Sequence, residues 1–113
     1  MRSLIIAALL LVVPAVAHGQ TDQQILVARS FGYAMQAQGW CDGMMIHLQT
    51  EEKLARINGV KLREGDLKME YLAGLTRFME DEISNGAEVA CKNAWDRVGP
   101  NGSEHAFILM ETP

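Results

Sequence analysis

Apolar residues recur along this chain with a helical period almost from end to end. Thr21-Asp22-Gln23-Gln24 has the form of a capping box, with a hydroxyl to receive the third helical amide and a glutamine to reach back. Behind it, Ile25, Ala28, Phe31 and Met35 repeat at three- and four-residue intervals, and Val27 and Ala34 widen the stripe. This predicts a first helix over 22–38, stopped at Gly39. Trp40-Cys41-Asp42-Gly43 and the apolar Met44-Met45-Ile46 and Leu48 read as a short helix or turn docked through Trp40 and Cys41. Thr50 is the expected N-cap of a second short helix, with Glu51 and Glu52 in its first turn and Leu54 and Ile57 on its apolar face. Asn58-Gly59 ends it; a hairpin turning through Asn58-Gly59 is the alternative.

The strongest pattern begins at Gly65-Asp66. Leu67, Tyr71, Leu75 and Phe78 form one stripe, broadened by Leu72, Met79 and Ile83, while Lys68, Glu70, Arg77, Glu80 and Asp81 take the solvent side. Ser84-Asn85-Gly86 breaks this helix, and Asn85 is the expected cap of another. Ala87, Ala90, Cys91, Ala94, Trp95 and Val98 keep an i, i+3, i+4 rhythm there, with Glu88 and Lys92 as an expected ion pair. Gly99-Pro100-Asn101-Gly102 stops it. The glycines are expected singly, at turns. The run Ala106 to Met110 is apolar but too short for a helix. It is expected to fold back over the core, with Phe107, Ile108, Leu109 and Met110 as the alternative partner surface.

At the other end, Met1-Arg2 and the apolar run from Leu4 to Val13 precede Pro14-Ala15-Val16-Ala17-His18-Gly19-Gln20. A basic start, about ten apolar residues and small residues beyond them have the form of a secretory leader. The run is too short for a permanent membrane anchor. Residues 1–19 are therefore expected to be a cleaved signal peptide and 20–113 a single domain, in the periplasm or secreted. Cleavage fits before His18 or before Gln20.

Export changes the reading of the cysteines. Cys41 and Cys91 are the only two in the chain, and an even count in a small exported domain predicts a disulfide. The expected fold is all-α, a small bundle of about four helices with one long-range disulfide. Trp40 and Trp95 are expected to pack beside the bridge.

Charge removes several function classes. Without Arg2, the chain has 9 Lys and Arg against 14 Asp and Glu. An acidic domain without a basic stripe is a poor nucleic-acid or anionic-membrane binder. The basic residues between Lys53 and Arg63 are flanked by Glu51, Glu52, Glu64 and Asp66, which predicts a mixed solvated face. Glu80-Asp81-Glu82 reads as the exposed side of a helix.

Candidate chemistry is sparse. Met44, Met45 and His47 offer soft ligands suited to Cu(I), but without a second histidine nearby, so a metal or small-ligand carrier is an alternative only. Cys41 with His47 as nucleophile and base needs a reduced thiol. Ser30, Ser84 and Ser103 lack the nucleophile-elbow context. The expectation is a non-enzymatic protein with no cofactor, protein-binding or stress-protective. Its expected partner is another periplasmic protein. The outline of leader, small helical body and Cys41–Cys91 spacing is similar to that of the small periplasmic acid-stress chaperones; immunity proteins and enzyme inhibitors share it. The likeness carries no residue roles with it.

Overall fold

The computed structural model describes residues 21–113; the leader and its cleavage sites lie outside them. Four α-helices and two short strands make up the described chain. Helix α1 spans Asp22–Trp40, β1 Met44–Ile46, α2 Leu48–Asn58, α3 Lys68–Asn85, α4 Ala87–Val98 and β2 Leu109–Glu111. A single 3-10 turn, Gly65–Leu67, leads into α3. The chain is mostly helical, as its periodicity predicts.

Helix α1 is the centre. Its capping box forms as the sequence indicates, Thr21 Oγ1 accepting from the Gln24 amide at 3.1 Å and Gln24 Oε1 from the Thr21 amide at 2.9 Å. Val27, Ala28, Phe31, Tyr33, Ala34 and Ala37 are buried on most sides of the helix. The helix runs on through Gly39 to Trp40, past the expected stop, and Cys41 closes it.

Helices α1 and α3 cross through glycine. A Cβ at Gly32 would lie 1.8 Å from the Tyr71 carbonyl oxygen, and one at Gly74 would lie 1.9 Å from that of Arg29. Each glycine therefore seats the other helix's backbone, a separation no larger residue allows. Neither is at a turn, which corrects the reading of the glycines as turn residues. Contacts advance together along the two helices: Arg29 meets Glu70 at 2.7 Å, Gly32 meets Tyr71, and the Tyr33 ring packs edge-on to Phe78 at 5.9 Å. The two helices are thus parallel, and β1 and α2 make the return crossover between them.

Helix α4 turns back along α3 at Gly86, whose φ of 90° lets one residue join two helices. Gly86, not Asn85, holds the N-cap position. Lys92 pairs with Asp96 at 2.6 Å rather than with Glu88. The bridge Cys41–Cys91 forms, with Cα atoms 5.6 Å apart, and ties the end of α1 to α4.

The C-terminal segment completes the domain. After α4 its amides return to the helix end. Ser103 N–H donates to Asp96 O at 3.0 Å, Glu104 and His105 to Arg97 O at 2.9 and 3.1 Å, and Ile108 to Val98 O at 3.0 Å. The carbonyls that any helix leaves without partners in its last turn are thereby satisfied. Beyond them β2 pairs antiparallel with β1, Ile46 opposite Leu109, Met45 opposite Met110 and Met44 opposite Glu111. Met44–Ile46 is therefore a strand, not the expected helix or turn.

Several side chains sit elsewhere than their pattern suggests. Trp40 is exposed, while Trp95 packs against the core. Leu72, Met79 and Ile83 do not widen the core stripe of α3; all three are exposed. His47, not Thr50, caps α2, its ring Nδ1 accepting from the Thr50 amide at 3.2 Å.

Candidate functional site

Where β1 hands over to α2, the loop before β2 lies alongside. His47, Thr50, Lys53 and Leu54 come from the first side, and His105, Ala106 and Phe107 from the second. Together they line a surface cleft of about 450 Å³. The His47 amide donates to Ile108 O at 2.8 Å, which fixes the two walls to each other. The His47 ring is held by Thr50 Oγ1 at 2.7 Å and stands 6.3 Å from the Phe107 ring, tilted by 57°.

Phe107 is the unusual member. Its φ is 59°, the left-handed region, and among the described residues no other non-glycine residue has a positive φ. A bulky side chain there costs on the order of 1–3 kcal/mol. The geometry has a purpose in the chain path. Phe107 N–H donates to Gly99 O at 2.8 Å and Ile108 N–H to Val98 O, so the backbone reverses over the end of α4 before entering β2. The ring nevertheless points to the cleft, half exposed (51%), while Ile108 and Leu109 beside it are fully buried.

The four-residue apolar surface expected at the tail is therefore divided. Ile108 and Leu109 belong to the core, Met110 is half-buried in the strand pair, and Phe107 alone presents a large exposed side chain. Leu109 lies opposite Ile46 of β1, a strand the sequence pattern does not reveal, and the Ile108 backbone is tied to Val98 and His47.

The Met44-Met45-His47 set does not assemble. Successive strand residues face opposite sides, so Met44 and Met45 diverge; Met44 packs on the core, and His47 is engaged with Thr50. Among the described residues no group of three or more His, Cys, Asp or Glu side chains is arranged to hold a metal ion. Cys41 is in the disulfide, so it is no nucleophile for His47. Ser30 is buried within α1.

A polar constellation is centred on Tyr33 and Glu104, the latter next to His105 in the loop that forms one wall of the cleft. Tyr33 is fully buried, and its hydroxyl accepts from Arg97 Nη1 at 3.2 Å. The Arg77 guanidinium covers the Tyr33 ring at 4.9 Å and donates through both terminal nitrogens to Glu104 at 2.7 Å each. Arg97 adds a longer contact to Glu104 at 3.6 Å. Burial pushes the Tyr33 hydroxyl above the ordinary phenol range. The bidentate bond from Arg77 holds the Glu104 carboxyl below the usual carboxylate range. On the same flank of α3, hydrogen bonds from Asn93 and Asn85 lower Asp81 as well. Arg77 thus does not simply face solvent, as its place on the helix pattern suggests. It clamps the loop carrying His105 and Phe107 onto the bundle.

No family model, curated protein or solved structure matches this chain. Among the described residues no helix is long and apolar enough to cross a membrane.

Proposed function

We propose that this chain is a non-enzymatic exported binding protein that contacts another protein through the cleft at Phe107. In this reading residues 1–19 are a cleaved signal peptide, and the domain works in the periplasm or as a secreted protein. A long-range disulfide of the kind exported domains use supports that placement. The observation that carries the binding role is Phe107 itself. A left-handed backbone and an exposed aromatic ring are both unfavourable, and both occur at one residue on the rim of a cleft.

The lining defines what fits. Leu54, Ala106 and Phe107 offer apolar surface, and His47, Lys53 and His105 offer donors or positive charge around it. The matching ligand is an aromatic or aliphatic side chain next to a carboxylate on a partner's surface. Fluorescence anisotropy with labelled peptides of that composition tests the reading. Binding should fall at least tenfold in Phe107→Gly, a substitution that suits the backbone and removes only the ring. Equal affinity of wild type and variant for every such peptide would reject it.

A stress-protective role is the second reading, favoured by the Glu104 clamp. Acid that protonates Glu104 removes the charge holding the C-terminal segment, and that segment carries the buried Ile108 and Leu109. Acid exposure would then uncover apolar surface able to hold unfolding clients.

A further inference from the structure

Helix α3 has two apolar faces. Tyr71, Gly74 and Phe78 point into the domain and are buried. On an adjoining face, Met69, Leu72, Met79 and Ile83 remain 71%, 39%, 43% and 78% exposed. With Thr76 between them, their spacing is three, four, three, four, the repeat of a coiled-coil seam. Successive positions of that repeat fall within a narrow strip, so the four side chains form one line along the helix. Thr76 is the polar member, and its hydroxyl is already bonded to Leu72 O at 3.0 Å.

We infer that this seam is a homodimer interface, occupied by α3 of a second copy running antiparallel. Charge selects the occupant and its direction. Lys68 flanks one end of the seam and Glu82 flanks the other end on the same side, seven residues either way from Leu75. Neither makes an ion pair among the described residues. A two-fold axis near Thr76 brings Lys68 of each copy opposite Glu82 of the other, twice over, and stacks Met69 toward Ile83. Such self-complementarity is the requirement of an isologous contact. A parallel copy would instead place the two acidic ends, Glu80 to Glu82, together. None of the seam side chains is among the buried core residues, so the interface forms without opening the core.

Sedimentation equilibrium on the protein, expressed from its full-length chain and purified as the cell processes it, tests the inference. A dimer is expected, with Ile83→Glu and Leu72→Glu each monomeric at concentrations where wild type is dimeric, each still folded by circular dichroism, and each melting at a temperature that, unlike that of wild type, does not rise with protein concentration. Lys68→Glu or Glu82→Lys alone should weaken the dimer about fivefold, and the double reversal should restore it. Thr76→Cys should cross-link to itself on mild oxidation, while Met69→Cys should cross-link to Ile83→Cys and not to itself. A monomeric wild type, a dimer that survives both glutamate substitutions, or self-linking of Met69→Cys overturns the inference. Peptide binding at Phe107 does not depend on this seam, so either result can stand without the other.

Discussion

Gly32 and Gly74 decide how close the two longest helices come. An alanine at either would drive a methyl group into a carbonyl oxygen of the facing backbone. Gly32→Ala and Gly74→Ala are each expected to destabilise by roughly 1–3 kcal/mol or more, the range for overpacking in a rigid core. Gly39 is the control. It lies in the same helix as Gly32, has nothing within 4 Å of a built Cβ, and should gain up to about 1 kcal/mol on mutation to alanine. Chemical denaturation of the three variants checks both signs. Glu104 sets a second test at this scale. Its folded pKa is depressed, so its contribution to stability is fully present above the unfolded carboxylate pKa and is lost as pH falls through the lower folded value. Glu104→Gln should therefore be less stable than wild type near neutrality and lose less on acidification, with the two converging at low pH. Parallel denaturation curves across the acid range would contradict this.

At the scale of elements, local rules carried far. The capping box, the periodic stripes and the breaks at Asn58-Gly59, Asn85-Gly86 and Gly99-Pro100 put the helices where they are. Thr21→Ala should accordingly cost about 1 kcal/mol, read as a shift in the denaturation midpoint. The failures share one cause, which is distance along the chain. Met44-Met45-Ile46 and Leu109-Met110-Glu111 do not alternate, and each is a strand only because the other lies beside it. Tyr33, Arg77, Arg97 and Glu104 bear no mutual signature when scattered over three helices and the loop after α4. The disulfide was legible because only one pairing exists. Phe107 was legible as an apolar residue needing cover, but its left-handed backbone follows from hydrogen bonds to the end of α4 that no spacing announces. Leu72, Met79 and Ile83 show a further limit: hydrophobic period finds apolar faces but cannot say which face meets the domain.

For the whole molecule, the last residues matter as much as the helices. Truncation after Gly102 removes Ile108 and Leu109, both fully buried, along with the four amides of Ser103, Glu104, His105 and Ile108 that close α4. The two side chains alone are worth roughly 3–6 kcal/mol at about 1.5–3 kcal/mol each. A domain of this size has about 5–15 kcal/mol in total. Calorimetry should find the truncated chain unfolded or melting far below the intact one; an unchanged melt would return Ile108 and Leu109 to the surface. Reducing Cys41–Cys91, which closes a separation of 50 residues, should cost up to about 4 kcal/mol through the freedom restored to the unfolded chain. Denaturation with and without reductant measures that difference.

The pairing of β1 with β2 also has a consequence in time. Residues 44–46 wait for residues 109–111, and α1 waits for α3 to lie parallel beside it after the intervening crossover. A chain emerging from the ribosome can make its helices early, but it cannot close this core until residues 109–111 are out. Contacts so far apart in sequence slow folding relative to a simple bundle. The unfinished protein therefore travels as a string of helices with open apolar faces. Its native state is reached only once residues 109–111 have been released.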